Sequence, residues 1–159
     1  MLPEIEMYLQ FISDEVDEIV AALDGLDRDA LLWQPLPTGN CLLVIAKHSL
    51  ANFERNVLST FAGEPYDWNR PEEFHIETET AAGIAAAWAG LKARAQKALE
   101  TIPEESLTAS RDHPNMGRVT GRAVLLRAMW HASMHNGEAS LTRGLVLTGS
   151  PRFTSVEEN

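Results

Sequence analysis

The sequence predicts an all-α protein built as a four-helix bundle, and three observations predict it. Four long segments carry apolar residues at helical spacing. Polar connections rich in Pro and Gly separate them, and no stretch shows the apolar–polar alternation of a half-buried strand.

The first helix is expected from Pro3 to about Leu23. Ile5, Tyr8, Leu9, Ile12, Val16, Ile19, Val20 and Leu23 form one narrow stripe, while Asp14, Glu15, Asp17 and Glu18 lie off it as a solvated acidic face. Pro3 suits a first helical turn and Gly25 a stop. Asp27 to Leu32 reads as one short helical turn broken by Pro35 and Pro37, after which Thr38 to Asn40 offer a cap.

The second helix, about Cys41 to Ala62, has two buried faces. Leu43, Ala46, Leu50, Phe53, Val57 and Phe61 make one; Cys41, Val44, Ile45, His48, Ala51, Asn52 and Arg55 make the other. Such a helix is either central to the bundle or half of a subunit interface, so a homodimer is expected. Gly63 to Ile76 is a loop whose Tyr66, Trp68 and Phe74 either line a site or cover a core edge.

Thr78 can cap a third, alanine-rich helix to Thr101, whose small residues suit close packing rather than chemistry. Pro103 to Val119 is a second long connection. Thr120 caps a fourth helix, about Gly121 to Leu145. Residues 1–150 are read as a single domain and 151–159 as a loose tail.

Composition excludes several functions. At 159 residues the chain can bury a full core without disulfides or structural metal, and its one cysteine, Cys41, cannot form an internal disulfide. The first residues lack a signal peptide's basic flank and apolar run, so a cytoplasmic protein is expected. Charges interrupt every hydrophobic segment, which speaks against a membrane span. A net charge of −10 without a basic cluster would repel a phosphate backbone, so nucleic acid is not the expected partner.

The chemistry is concentrated on two helices. His131 and His135 are four apart, which puts both imidazoles on one helical face, one turn apart, as two nitrogens for one metal ion. Val124, Arg127, Ala128, Met134, Glu138 and Thr142 share that face, placing polar groups where a bundle wants its apolar seam. His48 sits on an otherwise small and apolar face of the second helix. The expectation is that His48, His131 and His135 converge on a divalent metal with an open coordination position. Zinc, nickel, iron(II) and copper all suit imidazole.

The runs G-N-C-L-L-V-I-A-K-H (Gly39 to His48) and H-A-S-M-H-N-G-E-A-S-L-T-R-G (His131 to Gly144) resemble the DinB-like superfamily, with Gly137 and Arg143 in support. The resemblance implies an up-down-down-up bundle, often dimeric, with a divalent metal on the three histidines. It also implies either thiol-dependent enzymes, S-transferases and an isomerase using low-molecular-weight bacterial thiols, or metal-dependent hydrolases.

On this reading the metal lowers the pKa of a bound water or thiol, giving hydroxide or thiolate near neutral pH. Glu138 is the candidate catalytic residue, as a base or as the group orienting an imidazole. Asn52 and Arg55, one and two turns past His48, are the candidate contacts to a carboxylate or phosphate of a small-molecule substrate. Arg127 is expected to be solvated or paired with a loop carboxylate, and Cys41 to be a small buried thiol. His75 and His113 are expected in loops, away from the metal. The rival readings are a metal- or ligand-binding stress protein without turnover, and a structural homodimer whose histidines are core residues.

Overall fold

The structure, a computed structural model, describes residues 1–149. The expected tail, 151–159, lies outside the described residues. Helix α1 spans Pro3–Ala21 and buries Ile5, Tyr8, Leu9, Ile12, Val16 and Ile19, the predicted stripe. Its acidic face does more than meet solvent. Asp17 accepts from Trp88 Nε1 (2.6 Å) and Lys92 Nζ (2.7 Å), and Glu15 accepts from Ser133 (2.9 Å) and Asn136 (2.6 Å), so the carboxylates tie α1 to two other helices. A short helix α2, Arg28–Leu31, is capped by Asp27.

Helix α3, Leu42–Phe53, starts at Cys41, which makes no side-chain cap. The expected cap from Thr38 to Asn40 is absent because the helix begins after Cys41, one residue further on; Asn40 donates from Nδ2 to Glu138 at 3.1 Å. The predicted second helix is continuous in space but changes geometry: Glu54–Phe61 is a π-helix, in which each bond reaches one residue further than in an α-helix. Both faces of this long segment are buried within the chain, including His48, Asn52, Arg55 and Asn56. The back face expected to meet a second copy is therefore already covered. Gly63, with φ of +83°, ends the segment in a conformation other residues avoid.

Residues 64–80 form a loop containing a 3₁₀ turn, Arg70–Phe74. Helix α4, Ala81–Leu99, is capped by Thr80 Oγ1 at Gly83 N (3.1 Å), two residues past the predicted cap, and buries Ile84, Trp88, Leu91, Ala95 and Leu99. A second 3₁₀ turn, Glu104–Leu107, leads into an unpredicted antiparallel hairpin: β1, Ser110–His113, pairs with β2, Gly117–Thr120, with His113 opposite Gly117. Its four-residue strands, S-R-D-H and G-R-V-T, are too short and polar to show a period-two apolar pattern. Helix α5, Gly121–Leu147, is capped by Thr120 as predicted.

The described residues are thus mostly helical with one small hairpin. Helix α1 packs most extensively on α5, α5 also packs on α3 and its π extension, and α3 touches α1 and α4. One hydrophobic cluster joins all four long segments, from Ile5 and Ile12 through Leu43, Phe53 and Trp88 to Val124 and Leu125. At the start of α5 the packing admits no side chain: a Cβ on Gly121 would lie 2.1 Å from the Ser106 carbonyl oxygen and 2.9 Å from the Phe61 ring. No described helix is long and apolar enough to cross a membrane.

Candidate functional site

The packing of α3 against α5 brings His48, His131 and His135 together. All three are buried, and one ring nitrogen of each lies within 4.8 Å of those of the other two. The ring centroids are 4.9 Å apart for His48–His131 and His48–His135, and 4.4 Å for His131–His135. The i, i+4 spacing supplies the last pair, and tertiary packing alone supplies the third ring.

Carboxylates fix two of the rings. His48 Nδ1 lies 2.6 Å from Glu73 Oε2, and His135 Nδ1 lies 2.7 Å from Glu138 Oε2. An ionised carboxylate only accepts, so each Nδ1 carries the hydrogen, the tautomer that in a neutral imidazole leaves the lone pair on Nε2. Glu73 also accepts from Trp68 Nε1, and Glu138 from Asn40. Burial raises the Glu73 carboxyl, but the bonds from His48 and Trp68 and the nearby Arg55 charge outweigh it and hold the group below the usual carboxylate range. The His135 bond does the same for Glu138, against burial and with help from Asn40. For His131, burial and then the neighbouring His135, His48, Arg127 and Arg55 push the imidazole down to about 2, so it is neutral at pH 7.

These groups fit a divalent cation. His48 Nε2 and His131 Nε2 face each other at 3.1 Å, a distance at which two lone pairs repel unless a proton or a cation lies between them. A proton serves two of the rings, whereas a cation serves all three. Carboxylate–imidazole pairs with Nε2 turned inward are the usual outer support of a histidine metal site.

Beside the histidines is a cavity of about 340 Å³, lined by Asn40, Arg55, Arg70, Phe74, Asn115, Arg127, Trp130 and Met134 with the three rings. Arg55, from the π segment, is 5 % exposed and lies 4.6 Å over the Trp68 ring; its Nε and Nη1 have no hydrogen-bond partner. Burial lowers its pKa, the Glu73 charge opposing. Asn52 is buried one turn past His48, where its Oδ1 accepts from Asn56 Nδ2 (2.9 Å) and its own Nδ2 has no partner.

Other expectations resolve differently. Cys41 lies in the hydrophobic cluster and is not among the grouped ligands. Arg127 stacks over Trp130 at 4.4 Å and, among the described residues, pairs with no carboxylate. His75 is exposed and pairs with Glu77 at 2.9 Å. His113 is away from the three rings, as expected, but it is a buried strand residue and not a loop group: its Nδ1 accepts from Asn115 N (3.1 Å), so Nε2 donates to Asn56 Oδ1 (2.8 Å). Sequence reasoning missed Glu73, Trp68's polar role and Arg70. Of the loop's aromatic rings, Phe74 lines the cavity, stacked on His48 at 5.2 Å, and Trp68 supports it from behind through Arg55 and Glu73. Nothing in E-E-F, however, distinguishes Glu73 from Glu72 before the loop folds back.

Residues 7–147 match the sequence model of the mycothiol-S-transferase family. A search of curated proteins gave no match. Two solved structures share the fold. A conserved protein from Enterococcus faecalis aligns with TM-score 0.72 at 20 % identity, over 93 % of this chain and 99 % of that one. A DinB-like protein from Bacillus cereus aligns with TM-score 0.69 at 20 % identity, over 95 % and 97 %.

Proposed function

The chain belongs to the mycothiol-S-transferase family, and from that premise we propose that it is a divalent-metal-dependent thiol S-transferase whose metal is held by His48, His131 and His135. The observation that carries the reading is the pair of carboxylate-bound rings, His48 on Glu73 and His135 on Glu138, whose Nδ1–H bonds turn both Nε2 atoms toward the neutral His131. The family match favours a thiol over water as the nucleophile, and therefore transfer over hydrolysis. A cation in this place supplies Lewis acidity that lowers the pKa of a thiol at neutral pH.

The chain's own residues set the rest. Glu138 orients His135; with one oxygen on His135, the other on Asn40, and its carboxyl held low, it is a poor proton acceptor, so positioning is its role. Arg55, which lines the cavity and carries unpartnered donors, binds the substrate; Asn52, expected beside it, also has an unpartnered Nδ2 but is not among the residues lining that cavity. As the thiol sulfur bonds to the electrophilic carbon, the leaving group departs with that carbon's electron pair and the thiol proton passes to solvent through the cavity mouth. By resemblance the helix order is taken as up-down-down-up and the assembly as a homodimer, formed by a surface other than the covered back face of α3; the single domain over 1–150 and the cytoplasmic location rest on the sequence reading, and light scattering tests the assembly.

The deciding experiment is metal content of tag-free protein, stripped and reloaded with zinc, nickel or iron(II), by mass spectrometry. We expect about one equivalent, lost in His131→Ala, and turnover of a thiol with a fluorogenic alkylating agent only in the loaded protein. No bound metal under any loading would overturn the proposal and return the histidines to core hydrogen bonding.

A further inference from the structure

The cavity beside the histidines has an unusual charge for this chain. The protein carries a net −10, yet Arg55, Arg70 and Arg127 line the cavity and no Asp or Glu does. Elsewhere Arg94 pairs with Glu54 (2.7 Å) and Glu64 (2.8 Å) and Arg122 with Glu4, Arg28 and Arg143 donate to backbone carbonyls, and Arg111, over the Phe61 ring, is a single guanidinium with a buried unpartnered Nε. Among the described residues none of the three cavity arginines makes an ion pair. The nearest buried carboxylate, Glu73, already accepts from His48 and Trp68.

What holds the three guanidinium groups is aromatic. Arg55 lies over Trp68 at 4.6 Å, Arg70 over Phe74 at 5.3 Å and Arg127 over Trp130 at 4.4 Å. Stacking uses the face of a guanidinium and leaves the N–H donors around its edge free. For Arg55 this is explicit, since buried Nε and Nη1 have no partner. A buried charge with idle donors is costly unless something arrives to accept from them. Planar, edge-on and bidentate is how arginine meets a carboxylate.

We propose that this cavity receives a carboxylate of the reacting molecules, seated on the edges of Arg55 and Arg127 with Arg70 at the exposed rim. The substrates are therefore anionic on at least one side of the transfer: the thiol or the electrophile carries a carboxylate within reach of the histidines. This rests on the cavity being the substrate site of the reading above.

The test is calorimetry on the full chain with two matched pairs of probes. N-acetyl-L-cysteine and its primary amide share a thiol and differ in the carboxylate; monomethyl and dimethyl succinate differ in the same way without a thiol. The charged member of at least one pair should bind roughly ten-fold tighter than the neutral one. Preference in the thiol pair puts the carboxylate on the thiol; preference in the succinate pair alone puts it on the electrophile. The preference should largely vanish in Arg55→Gln or in the half-buried Arg127→Gln, whichever folds as the parent does, and persist in Arg118→Gln, which removes a positive charge away from the cavity. Equal binding of charged and neutral probes in both pairs overturns the proposal, as does a preference unchanged in both cavity variants or equally lost in Arg118→Gln. Metal content measured on the same samples keeps the two readings apart. A carboxylate preference in protein that holds no metal would retain the anion site and remove the metal reading.

Discussion

Glu73→Gln is the substitution that most directly tests how the site is built. Two donors face the Glu73 carboxylate, Trp68 Nε1–H and His48 Nδ1–H. Glutamine presents one oxygen and one amide nitrogen of the same shape, so it can accept from only one of them. The indole hydrogen cannot move, whereas the imidazole hydrogen can shift to Nε2. The variant therefore drives His48 into the tautomer whose hydrogen sits on Nε2, the nitrogen 3.1 Å from His131 and needed for the cation. Losing such support typically costs about 10- to 100-fold in metal affinity, or roughly 1.4–2.7 kcal/mol. In the metal-free protein the charge-assisted bond becomes a neutral one and the Nε2 hydrogen lies between His48 and His131, so stability should fall by less than the roughly 1.5–3 kcal/mol of an outright loss. Affinity is read by competition with a chromophoric chelator at pH 7 and stability by urea denaturation, with Glu77→Gln, on an exposed pair with His75, as the unaffected control. A folded Glu73→Gln protein that binds metal as tightly as the parent would refute the reasoning, because His48 would then not depend on its carboxylate.

Glu138→Gln should act in the same direction but more weakly, about ten-fold or less in affinity, since a side chain 34 % exposed lets water stand in for the lost oxygen; an effect larger than that of Glu73→Gln would argue for a direct role at the reacting atoms. Gly121→Ala should destabilise by at least about 1–3 kcal/mol, because its Cβ meets a backbone carbonyl that cannot give way, whereas Gly137→Ala, with nothing within 4 Å, should stabilise by about 0.5–1 kcal/mol; equal thermal melts for the two would contradict the packing described. For pH, His113 and His131 are both held below the ordinary value of 6.5 in the folded chain, chiefly by burial. On acidification the unfolded chain takes up those protons first, so stability is full above about 6.5 and falls below it, for His131 down to about 2. Urea midpoints of metal-free protein at pH 7.5 and 5.5 should show the loss, and a higher midpoint at 5.5 would contradict it.

Much of this protein is written in local patterns. The apolar stripe of α1, the Thr120 cap and the i, i+4 pair of His131 and His135 follow from helical period and capping chemistry, which act between residues a few positions apart. The placement of His48 was also legible, because an imidazole on an apolar helix face calls for a partner once that face is buried. The hairpin was not, since four polar residues per strand carry no periodic signal and their pairing is set by the chain on either side. The change to π geometry at Glu54 was equally silent: an α-helical wheel for that segment reads much the same up to the point where the bonds lengthen in sequence.

The helices, the two-faced character of α3 and the pairing of His131 with His135 follow from periodicity and side-chain type, which are local properties; the arrival of His48 beside that pair is tertiary. That Glu73, rather than Glu72 or Glu77, reaches His48, that Asn40 donates to Glu138, and that three arginines from separate elements face one cavity are consequences of tertiary packing. Those choices depend on how a loop folds back over a helix pair. Partners 25 and 98 residues apart are matched by the shape and burial of the whole, which no spacing along the chain encodes.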